Sequence, residues 1–377
     1  MIYLDHNATT PVLPEVVDAM MPFFREEWGN PSSSYRFGSR LKKVIETARD
    51  QVAELLGAHP LEIIFTSGGT ECDNAALHAM LRADPAKQHI ITSAVEHSAV
   101  LTFCRELEKT GFRITYLPVD RDGLLSITDL ENAITPETAG VSLMWANNET
   151  GVLFPVEEIA PLCRSRGILF HCDAVQAAGK IPIDLKNVPV DYLSLTGHKI
   201  GAPKGVGALF VRRKAPFTAY IQGGHQERGR RGGTENVPLV AGLGMAADIA
   251  RKKAPAFDAK VRPLRDEFEN GILTTIPQTE LNGHPALRLA NTTDITFYGI
   301  ESEALLLLLD QAGICASSGS ACLADSPDPS HVVAAMKPGS AARQCVRFSL
   351  GIENTAGQIR EALKAIRSNA ATLGTAG

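Results

Sequence analysis

The chain has 377 residues, 44% hydrophobic and 21% charged, the proportions of a globular protein with room for two or three domains of about 150 residues. A formal net charge of -5 gives no basis for nucleic acid as a partner, and the basic cluster at 227–231 is short and contains an acid. The longest uncharged apolar run of the C-terminal third, 304–309, is far short of the ~20 residues a membrane span needs. No basic-then-apolar leader opens the chain, and seven cysteines without a CxxC pair point to reduced thiols in the cytoplasm.

Apolar runs alternate with amphipathic stretches along the first two-thirds, which predicts an α/β layer architecture. A strand at 62–65 is broken by Ser67-Gly68-Gly69 and followed by a helix at 70–81. A strand at 89–92 leads through Glu96-His97-Ser98 to a helix at 100–109. Further strands are predicted at 113–117, 141–145, 168–171, 192–195 and 206–211. Those at 141–145 and 206–211 are apolar on both faces, as in a sheet covered by helices on each side.

A helix over 237–253 ends in Lys252-Lys253-Ala254-Pro255, cations followed by a breaker. The domain change is placed there, with a large domain over 14–254 and a smaller α+β domain from 1–13 and 255–377. Beyond it come a helix (258–270), a strand (294–297), a helix (302–311), a strand (345–349) and a terminal helix (355–370). The stretch 312–343, rich in Ser, Gly, Pro and Asp, is expected to be a mobile loop around a short helix.

Five predicted strand ends carry complementary groups. Gly69-Thr70 is either a phosphate cradle at a helix start or a glycine turn with a threonine cap. His97 is either a helix cap or an imidazole over an aromatic cofactor. Asn147-Asn148 offers amides for a phenolic oxygen or only turn chemistry. Asp173 and Lys199 supply the carboxylate and amine that a pyridine-ring aldehyde cofactor requires. In open α/β sheets the carboxyl edge of the strands is where ligands bind.

Over nearly its full length the chain resembles the cysteine desulfurases of the NifS/IscS-like class. These are fold-type-I pyridoxal phosphate enzymes of the class-V aminotransferase family. The matching motifs include Tyr3-Leu4-Asp5-His6-Asn7-Ala8-Thr9-Thr10, Gly29-Asn30-Pro31-Ser32-Ser33, Gly69-Thr70-Glu71, Glu96-His97 and Asn147-Asn148-Glu149-Thr150-Gly151. They continue with Asp173-Ala174-Val175-Gln176, Gly197-His198-Lys199, Gly233-Thr234-Glu235-Asn236, Ser318-Gly319-Ser320-Ala321-Cys322 and Arg347-Phe348-Ser349-Leu350.

The resemblance implies a mainly parallel central sheet covered by helices and a homodimer that binds pyridoxal 5'-phosphate. Lys199 would bind the cofactor aldehyde, Asp173 would face the ring nitrogen, and Gln176 the ring hydroxyl. His97 would stack on the ring and move protons. Gly69, Thr70, Thr196 and His198 would hold the phosphate, with Thr234 reaching in from the second subunit. Asn148 would lie near ring and substrate, and Arg347 would clamp the substrate carboxylate, a task suited to a guanidinium fork.

Cys322, among small and polar neighbours, would take sulfur from L-cysteine as a persulfide, leaving L-alanine. The acceptor would be an iron–sulfur cluster scaffold, in nitrogenase maturation or in housekeeping assembly. No resident metal is expected, only transient iron–sulfur contact at Cys322. The other readings are a selenocysteine lyase or another pyridoxal phosphate lyase, and a partner-dependent sulfur-relay protein. Three residues depart from the family pattern: Thr196 replaces a common serine but keeps the hydroxyl, Cys72 stands where serine is common and reads as a small core residue, and His225 stands where a glycine is usual.

Overall fold

The computed structural model describes residues 1–319 and 329–374. Its strands are β1 (Ile2–Tyr3), β2 (Ile63–Thr66), β3 (His89–Ser93), β4 (Arg113–Leu117), β5 (Thr138–Met144), β6 (Leu169–Asp173), β7 (Tyr192–Thr196), β8 (Gly207–Val211), β9 (Thr279–Asn282), β10 (Thr292–Phe297), β11 (Ile314–Cys315) and β12 (Cys345–Ser349). The helices are α1 (Pro14–Arg25), α2 (Arg36–Ser39), α3 (Leu41–Leu56), α4 (Gly69–Ala83), α5 (Ser98–Lys109), α6 (Ile127–Ala133), α7 (Val156–Ser165), α8 (Val237–Thr275), α9 (Ser302–Gln311), α10 (His331–Met336) and α11 (Ala356–Gly374). The expected elements begin at 62, so α1 to α3 are additions. Pro14 opens α1 where its missing N–H costs nothing, and Gly57 ends α3 in the left-handed region.

Seven strands form the main sheet in the order β2-β8-β7-β6-β5-β3-β4. From β7 to β4 the pairs are parallel, and β8 alone runs antiparallel, against both β2 and β7. Every residue of β5, β7 and β8 is buried, as a sheet with helices on both faces demands. This is the mainly parallel α/β sheet that the alternation of apolar runs predicts. Because the strands of one direction end together, the exits of β2, β3, β5, β6 and β7 share one edge.

A second sheet, β12-β10-β9, is antiparallel, and β1 pairs in parallel with β11. Its apolar cluster joins Ile2 and Leu4 to Phe257, Phe268, Ile295, Phe348 and Ile366. The helix predicted to stop at 253 does not stop. α8 runs unbroken for 39 residues with Pro255 and Pro263 inside it. Its first half packs Val240, Leu243 and Ala247 into the large cluster, and its second half packs Phe257, Val261 and Phe268 into the smaller one. Burial at both ends outweighs the lost helix bond at proline, about 3 kcal/mol. The described part of 312–343 contains α10, the short helix expected there, and adds β11.

Candidate active site

A cavity of about 180 Å³ opens at the shared strand edge. Beyond β2, Gly69 starts α4 without any side-chain cap, so the first-turn N–H groups remain directed outward. A Cβ on Gly69 would approach Val175 Cγ2 to 3.0 Å, and one on Gly207 would come within 2.8 Å of Gly68 Cα. Glycine at both places lets the backbone form an open cradle. Thr70, Thr196 and His198 complete its wall, and the N-terminus of α4 favours an anion there.

His97 follows β3 and is the helix cap of one of its two readings. Its Nδ1 accepts from Ala99 N at 3.2 Å as the cap of α5, and the ring also lines the cavity. Burial, then the charge of Lys199, lowers its pKa to about 4, so the imidazole is neutral at pH 7. The two asparagines after β5 divide the work. Asn147 Oδ1 accepts from Glu149 N and Thr150 N at 2.9 and 3.0 Å, which is turn chemistry. Asn148 lines the cavity, and its buried Oδ1 has no partner among the described residues.

Asp173 ends β6 and takes a 2.8 Å hydrogen bond from Val175 N. Burial raises its pKa to about 6 against the pull of that N–H and of Lys199. Two further buried acids lie near it. Asp73, 3.5 Å from His171, is pushed up by burial and by Asp173. Glu96 is pushed up to about 8 by burial. A carboxylate crowded in this way favours a proton held between itself and a basic ring nitrogen.

Lys199 sits just past β7 with Nζ donating to Ala8 O at 2.7 Å and to Asn7 O. Arg347, on β12, crosses from the second sheet; its Nη1 donates to Asn148 O at 3.0 Å and its Nη2 to Asp5 at 2.8 Å. Its Nε is buried without a partner among the described residues. Gln176 lines the same wall. Asn7, Ala8 and Asp73 also line the cavity, and sequence reasoning had assigned no role to them; the motif containing Asn7 and Ala8 was the available signal.

Two expected site residues are not in this group. Thr234 is exposed and does not line the cavity. Cys322 lies outside the described residues. The described residues on either side of that segment both meet Glu149, next to Asn148. Ser330 Oγ donates to Glu149 Oε2 at 2.5 Å, and a Cβ on Gly319 would lie 2.7 Å from that oxygen.

An amine, a carboxylate and an anion cradle around one cavity are the groups that a phosphorylated aldehyde cofactor with a basic ring requires. The chain belongs to the class-V aminotransferase family, whose model matches residues 2–361, and membership implies pyridoxal phosphate. The residues present fit that group: the cradle would fill if Gly69 carried a side chain, and Asn148 Oδ1 is an unpartnered buried oxygen beside it.

Within the family the chain is a NifS-like cysteine desulfurase. It is 52% identical over 365 residues to cysteine desulfurase 2 of Trichormus variabilis, covering 97% of this chain and 92% of that one. It is 50% identical over 367 residues to the cysteine desulfurase NifS of Azotobacter vinelandii, covering 97% and 91%. Among solved structures, a NifS-like protein superposes with a TM-score of 0.91 at 36% identity, covering 97% of this chain and 98% of that one. A structure of SspA in complex with cysteine superposes with a TM-score of 0.82 at 36% identity, covering 93% and 99%.

Proposed function

We propose that this enzyme converts L-cysteine to L-alanine and keeps the sulfur as a persulfide on Cys322 for an iron–sulfur cluster scaffold. The observation that carries the reading is the meeting of Lys199, Asp173, the anion cradle and Arg347 at one cavity. Pyridoxal phosphate, when bound, supplies the electron sink that allows a proton to leave the substrate Cα. Gly69, Thr70, Thr196 and His198 would hold its phosphate, Asp173 would pair with its ring nitrogen, and Lys199 would bind its aldehyde. Gln176 and Asn148, which line the cavity, would contact the ring and substrate.

Arg347 binds the substrate carboxylate and orients Cα toward Lys199. Lys199, which lines the cavity, would take the Cα proton. His97 is neutral and placed to accept a thiol proton. Activity needs thiolate, and an unperturbed thiol with a pKa of ~8.5 is only slightly ionised at pH 7. The Cys322 thiolate attacks the substrate sulfur: an S–S bond forms, the C–S bond breaks, and protonation of the carbon product gives alanine.

In this reading the protein works in the cytoplasm as a homodimer, with Thr234 of each protomer reaching the phosphate of the other. Exposure of Thr234 on its own chain supports this, as do the exposed apolar side chains Phe24, Trp28 and Tyr35. The division into domains 14–254 and 1–13 with 255–377 belongs to the same proposal, supported by the two apolar clusters that α8 joins. Homology to the Azotobacter vinelandii NifS favours nitrogenase maturation as the destination of the sulfur.

The test is release of alanine and sulfide from L-cysteine with excess dithiothreitol. Equal amounts are expected from wild type and almost none from a still-yellow Cys322→Ala variant. Full activity in that variant would remove Cys322 from the reaction and point to an elimination lyase.

A further inference from the structure

Lys180 does not line the active-site cavity, but Gln176, four residues earlier, does. Lys180 is buried, and its Nζ donates to Gln176 Oε1 at 2.8 Å and to Asn7 Oδ1 at 3.3 Å. Among the described residues no carboxylate pairs with it. Burial, followed by the charges of Lys199 and Arg347, draws its pKa down to about 7. Holding an amine in such surroundings is costly, and an aliphatic side chain would fill the space without that cost.

The value of the amine lies in what it fixes. In its charged form Lys180 has three donors and no acceptor, and both atoms facing it are amide oxygens. Lys180 is the one donor to Gln176 Oε1 among the described residues, whereas Asn7 Oδ1 also accepts from Asn291 Nδ2 at 3.0 Å. With Oε1 held by Lys180, Gln176 Nε2 donates to Asn7 O at 3.0 Å. Its second N–H has no protein acceptor among the described residues and remains for a ligand in the cavity. Asn7 in turn presents Nδ2 to Asn148 O at 3.2 Å and to Thr292 Oγ1 at 2.9 Å, while its carbonyl receives Lys199 Nζ. The buried amine therefore holds Gln176 in place and shares with Asn291 the hold on Asn7 beside the active lysine.

We propose that Lys180 is a positioning residue that, through Gln176 Oε1 and Asn7 Oδ1, aims a Gln176 N–H at the phenolic oxygen of the cofactor ring. The inference rests on the cavity being a pyridoxal phosphate site.

The test titrates apoenzyme with pyridoxal phosphate and with 3-deoxypyridoxal phosphate, which lacks the phenolic oxygen, and reads dissociation constants from absorbance. Lys180→Met is expected to weaken binding of pyridoxal phosphate roughly tenfold and to leave the deoxy analogue within about twofold. In a Gln176→Ala background the same change is expected to add no further loss. Lys180→Gln keeps a polar head in the buried position and, should the methionine variant not fold, must show the same selective loss. Equal weakening of both compounds, no weakening, or full additivity with Gln176→Ala would overturn the proposal. Wild-type apoenzyme that binds neither compound would instead overturn the cofactor reading, and the inference with it.

Discussion

Glu96 shows how far the surroundings of the site depart from ordinary side-chain chemistry. Its Oε1 accepts from Ser93 Oγ at 2.7 Å and from Met144 N at 3.0 Å, while Oε2 is buried without a partner among the described residues. Burial raises its pKa from 4.5 to about 8, so the folded protein keeps a proton that the unfolded chain gives up. The stabilisation linked to that proton is complete below pH 4.5 and is lost as pH rises through 8. Glu96→Gln retains the Oε1 acceptor and removes the titration. Urea unfolding should therefore show the variant gaining on wild type between about pH 5 and about pH 9, by on the order of 2 kcal/mol. A stability difference independent of pH would contradict the assignment. Lys199, Asp173, His97 and Asn148 were legible as strand-end residues because their chemistry is unusual there. Asp73, Glu96 and Lys180 were not, because a charged letter in a sequence does not disclose that it will be buried. Cys72 and Cys345 behave as small core residues, both buried with thiol pKa values pushed up by burial.

Among the elements, α8 carries the clearest local conflict. Pro255 is exposed inside the helix and lacks the N–H that would bond the carbonyl four residues back, at Arg251. Pro255→Ala restores that bond without removing buried surface, against a smaller loss from a more flexible unfolded chain. The expected result is a gain of about 1–2 kcal/mol in urea unfolding; a loss would show that the proline-shaped path of α8 is needed to join the two apolar clusters. Local reading placed a boundary here because cations followed by proline form a stop signal, and only the packing of both halves overrides it. Strands were read more closely: β4 falls on the predicted residues, and β5 starts earlier than expected, at Thr138. Its extra residues include Gly140, where a Cβ would lie 2.4 Å from Met80 Sδ. That position is set by packing against α4 rather than by an apolar letter.

For the whole molecule, alternation of strand and helix was enough to indicate an α/β sheet and a common ligand-binding edge. The antiparallel course of β8 and the strand order were not legible, since both depend on pairings between distant segments. The same holds for the closing of the site, where Asn7 touches residues 148, 176, 180, 199, 291, 292 and 349. A cavity assembled from both ends and the middle of the chain ties the chemistry to complete folding.

The most direct measurement of the sulfur-transfer account is a first-turnover experiment on pyridoxal phosphate-loaded enzyme, mixed with L-cysteine without reductant and quenched. Alanine and the mass of the Cys322 peptide are read on the same samples. The account predicts one alanine per active site, matched by the gain of one sulfur atom on that peptide. Alanine formed with no sulfur on Cys322 would contradict it.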